Sequence, residues 1–321
     1  MHCKIIVLHL QYRMTSKYIT QLTLNIMRTQ NLTLSQEVEL IKNGKGSKAT
    51  KREALIKLGL RANEVAYVLA TIHTATRTKR SELFTFGVEI ECFVAQSSIQ
   101  ATAANNNLPY HYESYNHRDN EVYYKFVSDA SVQGMPDPIE CVSPVLKGKK
   151  GLESLEVCCK SLNEANARVN KSCGLHVHIG AADLTGEQYA NVFVNYKMLE
   201  SVIDTFMAQS RRGNNSRWAK SLRSYDLENC HTAQDVRMTL RADRYHKVNC
   251  ESFARHNTIE FRQHQGSTDY KKISMWVNFC AKLVAFSKTT RLSQEIDSVD
   301  EIPFLNATEK RFFNSRVEAL S

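Results

Sequence analysis

The chain has no glycine-rich phosphate loop. Neither GxxxxGKS/T nor GxGxxG occurs in its 321 residues, so P-loop and dinucleotide-fold cradles are unsupported. It has no apolar run near the roughly 20 residues that a membrane-crossing helix needs. The opening MHCKIIVLHL is apolar but short, and Gln11, Tyr12 and Arg13 follow it in place of a small-residue cleavage site. It reads as a buried strand or helix start, not a signal peptide. No CxxC pair occurs among the nine cysteines, which are irregularly spaced, with Cys158 and Cys159 adjacent. That excludes a zinc ribbon or a regular disulfide framework and fits a reducing cytoplasm, where buried cysteine acts as a small hydrophobe. Internal repeats and low-complexity segments are absent as well.

What is present is an ordinary globular composition, 42% hydrophobic and 23% charged, long enough for one large core and a small accessory region. The net charge of +9 is unevenly placed: residues 1–80 hold 14 Lys/Arg against 4 Asp/Glu, and the remainder is close to neutral. Such asymmetry points to an acidic partner, such as nucleic acid, for the N-terminal quarter. That quarter reads as short helices. One is KREALIKLGL, with Thr50 as its cap, Ala54, Leu55, Leu58 and Leu60 at helical spacing and Gly59 as its stop. Asn63 then caps EVAYVLATI. Lys42, Lys45, Lys48, Lys51 and Arg52 cluster around the loop NGKGS. Two such helices with a tight turn resemble a helix-turn-helix, and a helical collar with a solvated basic face is the plainer reading.

After a junction near Thr76–Ser81 the texture changes, giving two parts, 1–80 and 81–321. FTFGVEIECFV, EVYYKFVSD, PIECVSP, GLHVHIG and NTIEFRQHQGS read as strands, and 97–120 as a polar, Asn-rich loop. Helices are expected over 152–169, over 185–208 (capped by Thr185), over 233–240 and over 270–288. Without regular βαβ alternation, the order implies an α+β fold with a largely antiparallel sheet flanked by helices.

Residues two apart in a strand share a face. Glu89 and Glu91 therefore stand together, opposite Val88 and Ile90. His176 and His178 do the same opposite Leu175, Val177 and Ile179, as do Glu260 and Arg262 opposite Ile259 and Phe261. Glu140 is a lone acid between Ile139 and Cys141. Taken singly, each set reads equally as a solvated strand face or a surface ion pair. Their coincidence says more: in one sheet these faces converge into a patch of acids, imidazoles and a guanidinium. Packed carboxylates need cations between them, and the preponderance of hard oxygen ligands selects Mg2+ or Mn2+. Beside Arg262, such a patch suits phosphoryl transfer.

FGVEIE, SDASV, PIECVSPVL, CGLHVHIG, SRRGN and RYHKVNCESFARHNTIEFRQHQGS, in that order over about residues 83–290, resemble the putative amidoligase family. That family belongs with glutamine synthetase and glutamate–cysteine ligase in the carboxylate–amine ligase superfamily. The resemblance implies a curved antiparallel sheet forming an open, glutamine synthetase-like funnel. ATP would enter at one end and the acid at the other. It implies metal ligands at Glu89, Glu91, Glu140, His176 and Glu260, with His178 near nucleotide phosphate. Arg262 falls on the γ-phosphate, with catalytic roles for Glu260 and Arg262. Arg211 and Arg212 fall on a basic loop that contacts nucleotide or the tetrahedral intermediate. Asp129, Ser143 and Asn249 are candidates for holding substrate. One departure from the family pattern is Met135-Pro136-Asp137-Pro138 before Glu140, which bears on how that carboxylate is aimed.

The implied reaction joins an acid to ammonia or an amino group through an acyl-phosphate, with ATP and Mg2+ as cofactors, in the cytoplasm and away from membranes. Two rival readings are a nucleic-acid-associated module on a degenerate ligase fold, recruited by residues 1–80, and a zinc hydrolase built on Cys173, His176 and His178. The spacing of the latter is not a standard zinc pattern, and alternation places Cys173 opposite both histidines.

Overall fold

The computed structural model describes residues 41, 48–60, 65, 84–113, 122–129, 132 and 135–321. The chain divides into two compact units, Met1–Arg77 and Thr78–Ser321. In the first, helix α1 (Lys48–Lys57) buries Ala54 and Leu55 with Ile41 and Val65 in a small core of their own, against which Leu58 and Leu60 pack. The helix is followed by Gly59 at φ +92°, a backbone conformation that costs glycine little. It starts at Lys48, so Thr50 lies within its first turn and is not its cap. The opening apolar segment, the whole NGKGS loop and most of the helix expected over EVAYVLATI lie outside the described residues. No described helix is long and apolar enough to cross a membrane.

The second unit runs β1 (Thr85–Phe93), α2 (Gln96–Asn105), β2 (Tyr110–Glu113), β3 (Tyr124–Ser128), β4 (Pro138–Val142), β5 (Leu146–Lys147) and α3 (Gly148–Glu164). It continues β6 (Leu175–Gly180), α4 (Gly186–Thr205), α5 (Ala233–Thr239), β7 (Val248–Asn249), α6 (Ser252–His256), β8 (Thr258–Phe261), α7 (Tyr270–Ser287) and α8 (Ala307–Leu320). The strands form one open sheet in the order β2-β3-β4-β1-β6-β8-β7, with β5 beside the start of β1. Among the described strands, only β2 and β3 pair in parallel. The fold is thus α+β, with a mostly antiparallel open sheet flanked by helices.

Period-two alternation gives the sheet its two faces. Phe86, Val88, Ile90, Leu175, Val177, Ile179, Ile259 and Phe261 are buried in one core with Leu155 and Leu162 of α3, Phe193 and Leu199 of α4, and Trp276 and Phe279 of α7. The other face carries the polar residues. Helix α4 begins at a capping box: Gln188 N donates to Thr185 Oγ1 at 3.2 Å, and Thr185 N donates to Gln188 Oε1 at 3.0 Å.

The stretch 97–120 is not the loop expected from its polarity, because α2 and β2 occupy much of it. Helix α2 buries only Ile99 and Ala103, one turn apart, and Thr102 Oγ1 ties it to α3 by donating to Ser161 O at 2.9 Å. Two apolar anchors in QSSIQATAAN are too few to show a helical period.

Candidate active site

Strand register assembles the site. Glu91 of β1 pairs with Glu140 of β4, and Glu89 pairs with Val142 on one side and His176 of β6 on the other. His178 lies opposite Glu260 of β8, and Asn249 of β7 completes that row. All of these side chains share the face away from the apolar core. The insert Met135-Pro136-Asp137-Pro138 leaves Glu140 in this register. Asp137 anchors it, accepting from Val94 N through its carbonyl at 3.0 Å and from Gln96 N through Oδ2 at 3.2 Å.

His176 sits among three carboxylates. Its Nδ1 is 2.8 Å from Glu89 Oε2 and 3.7 Å from Glu260 Oε1, and its Nε2 is 3.6 Å from Glu91 Oε1. Gly174 N donates to Glu91 Oε2 at 2.6 Å. A side chain at Gly174 would press on both His176 and Arg211, 3.1 and 3.4 Å from its Cβ. His178 is oriented by Thr258 Oγ1, 2.9 Å from Nδ1, and its buried Nε2 points toward Glu89 Oε1 at 3.4 Å without making a hydrogen bond. Three overlapping groups, Glu89/His178/Glu260, Glu89/Glu140/His176 and Glu91/Asp129/Glu140, each bring their ligand atoms within 4.8 Å of one another.

Like residues behave differently here because their neighbours differ. Burial opposes charge on Glu89, but the hydrogen bond from His176 and the positive charges of His178 and His176 outweigh it and hold Glu89 well below the usual carboxylate range. Burial opposes charge on Glu260 too, and the Arg262 guanidinium together with His178 and His176 outweighs it, bringing Glu260 to about 2. Glu140 has no such partner. Burial, then the negative charges of Glu89, Glu91, Asp129 and Glu260, push it well above that range. Burial also disfavours charge on His178, and Glu89 and Glu260 overcome it, so the imidazole rises. A cluster that holds extra protons at Glu140 and His178 is one that a cation would relieve. Its donors, mostly carboxylate oxygens with a buried unpartnered imidazole nitrogen, fit a hard divalent ion.

Cationic groups stand beside the acids. Arg262 is 5% exposed, donates through Nη1 to Glu260 Oε1 and through Nε to Trp218 O at 3.3 Å, and has Tyr245 beneath its guanidinium. Arg211, 4% exposed, donates through Nη2 to Cys173 O at 2.6 Å. Both line a cavity of about 590 Å³ over the acid patch, together with Lys125, Ser143, Arg244 and Arg255. That volume accommodates a nucleotide-sized ligand.

Of the residues expected to act, Glu89, Glu91, Glu140, His176, His178, Glu260, Arg262, Arg211, Asp129, Ser143 and Asn249 all line this cavity. Arg212 does not. Its Nε donates to Met207 O at 2.9 Å and its Nη2 to Leu320 O at 2.7 Å, so it satisfies carbonyls just beyond α4 and at the end of α8. Asp129, expected to hold substrate, stands with Glu91 and Glu140. His178, expected near phosphate, belongs to a ligand group. Ser143 Oγ accepts from Val88 N at 2.9 Å and donates to Pro144 O at 2.8 Å, which closes the strand end. Asn249 Nδ2 donates to Glu260 Oε2 at 2.5 Å and fixes that carboxylate. Cys173 packs against Phe93 and Val132, and no ligand group among the described residues contains a cysteine, so the zinc reading has no support. Sequence reasoning missed Lys125, Trp218, Arg244, Tyr245 and Arg255. Lys125 carried the same signal as the acids, a charge within the apolar strand YYKFV.

None of the proteins with curated functions matches the chain. The family described as putative amidoligase enzyme matches residues 82–284, nearly all of the sheet and the whole acid patch, and the chain belongs to that family.

Proposed function

We propose that the protein is an ATP-dependent carboxylate–amine ligase that works through an acyl-phosphate. The observation that carries this reading is the juxtaposition of three overlapping carboxylate groups, two of them with an imidazole, with buried Arg262 on one sheet face. A substrate carboxylate oxygen attacks the γ-phosphorus of ATP, the bond to the β-phosphate oxygen breaks, and ADP leaves. The amine nitrogen then attacks the acyl carbon, phosphate departs, and the nitrogen gives up a proton as the amide forms.

Glu89, Glu91, Glu140, His176 and Glu260 would hold Mg2+ or Mn2+, with His178 and Asp129 completing the groups. Bound there, the ion supplies charge neutralisation for the phosphates. The planar fork of Arg262 meets oxygens of the transferring group, and Asn249 keeps Glu260 from rotating away. Arg211 supplies a second cation with its guanidinium held by Cys173 O. We place the nucleotide at the end of the cavity bearing Arg211, Arg244 and Arg262, and the acid at the Lys125–Asp129 end, in a funnel like that of glutamine synthetase.

The test is ADP release by the full chain with Mg2+ across a panel of carboxylic acids and amines. Release that needs an acid, an amine and Mg2+, with an amide product by mass, supports the reading. A purified, folded protein that neither binds Mg2+–ATP nor releases ADP with any member rejects it.

A further inference from the structure

Behind the cavity wall, α4 carries a second cluster of charges. Tyr196, Glu200 and Asp204 recur every four residues, so they form one stripe along the helix. The stripe meets Lys247, which is wholly buried, as is Glu200. Lys247 Nζ donates to Glu200 Oε1 at 2.8 Å and to Asp204 Oδ1 at 2.6 Å. None of these residues lines the cavity. Buried charges of this kind add little stability that apolar side chains of the same volume would not supply.

What sets the cluster apart is where its remaining hydrogen bonds end. Asp204 Oδ2 accepts from Gly213 N at 2.8 Å. Gln263 Nε2 bridges Asp204 Oδ1 at 2.5 Å and Arg211 O at 3.2 Å, and Tyr196 OH donates to Gln263 Oε1. Glu200 Oε2 accepts from Leu222 N at 2.8 Å. The backbone carbonyl of Lys247 accepts from Arg262 N at 2.8 Å. The main chain at Arg211 and Arg262 is thereby tied to one buried ammonium and its two carboxylates.

We propose that Lys247, Glu200, Asp204 and Gln263 are positioning residues that hold Arg211 and Arg262 in register across the cavity, so that both meet the terminal phosphate of the nucleotide. This rests on the ligase reading. It explains why an interior position keeps three charges: a misplacement of about 1 Å in a phosphate-binding group can cost on the order of 100-fold in rate.

The experiment is calorimetric binding, with Mg2+ and the full chain, of a non-hydrolysable ATP analogue and of AMP, which lacks the terminal phosphate. Asp204→Asn keeps the shape but offers an amide where Lys247 and Gln263 donate. It should weaken the ATP analogue by about 10-fold and leave AMP unchanged, and it should add nothing further once both guanidinia are removed in an Arg211→Ala/Arg262→Ala background. Equal weakening of both nucleotides, or a full additional loss in that double-variant background, marks a merely structural role and overturns the proposal. Gln263→Met, which alters no charge, replaces Asp204→Asn in the same cycle should the latter not fold. A wild-type chain that binds neither nucleotide removes the ligase reading itself, and the positioning role with it. A chain that binds the analogue through Arg262 but ignores Asp204→Asn and Gln263→Met removes the positioning role alone.

Discussion

Glu89, Glu140 and Glu260 are the same side chain on three strands of one sheet, yet their protons behave oppositely. Glu89 and Glu260 have cationic partners within reach, and Glu140 faces other carboxylates. For Glu140 the folded pKa lies above the unfolded value of about 4.3. Between those two values the folded protein binds more protons than the unfolded chain, so its contribution is complete below about 4.3 and is lost as pH rises through the folded value. His178, also raised, adds a decline in the same direction. The informative quantity is therefore the difference between wild type and Glu140→Gln, which holds the neutral form at every pH. In chelator-treated protein, urea unfolding from pH 5 to 8 should lose stability with pH less steeply for Glu140→Gln than for wild type. Parallel profiles would show that Glu140 carries no excess proton. The lowered pair predicts a different outcome. Glu89→Gln removes a carboxylate shared by two ligand groups, so Mg2+-dependent ADP release should fall at least about 100-fold while the protein stays folded. Near-normal release by the purified variant would sink the metal-site reading.

Elements were legible where one period dominated. The strands FGVEIEC, PIECV, LHVHIG and TIEF each set acids or imidazoles against apolar neighbours at period two, and the register then brought those faces together. Helix α4 was legible from its cap, and the prediction at this scale tests that cap. Thr185→Ala removes the acceptor for Gln188 N and should lower unfolding free energy by about 1 kcal/mol, read by urea titration, with ADP release per folded molecule unchanged. An unchanged midpoint would mean that packing alone fixes where α4 starts. Helix α2 stayed hidden because its helical stripe is two residues wide in a polar segment. Adjacent arginines in SRRGN look alike in sequence, while a short 3-10 turn over Gln209–Arg211 brings Arg211 to the cavity and sends Arg212 toward helix ends. The stripe Tyr196–Glu200–Asp204 was visible as two acids one turn apart in an otherwise buried helix, but its partner Lys247 lies more than forty residues on. Pairings at that separation are a property of topology, which local pattern does not carry.

At the scale of the whole molecule, chemistry and charge are segregated. Every candidate ligand and the four cavity arginines lie after residue 84, in the unit Thr78–Ser321. The excess positive charge lies before residue 81, so residues 81–321 alone carry a net charge of about −1 in place of +9. The described residues Ile41, Ala54, Leu55 and Val65 of the first unit form a small core of their own. Expressing residues 81–321 should therefore give a soluble protein that still binds ATP with Mg2+ but elutes from heparin at low salt, whereas the full chain is retained until higher salt. Residues 1–80 would then be a recruiting segment for a polyanion, separable from the ligase. If the truncated protein is insoluble, or folds but no longer binds nucleotide, the N-terminal helices are part of what completes the catalytic unit. If it folds, binds nucleotide and holds to heparin as tightly as the full chain, the anion-binding surface belongs to the arginine-lined cavity, and the N-terminal charge serves solubility instead of recruitment.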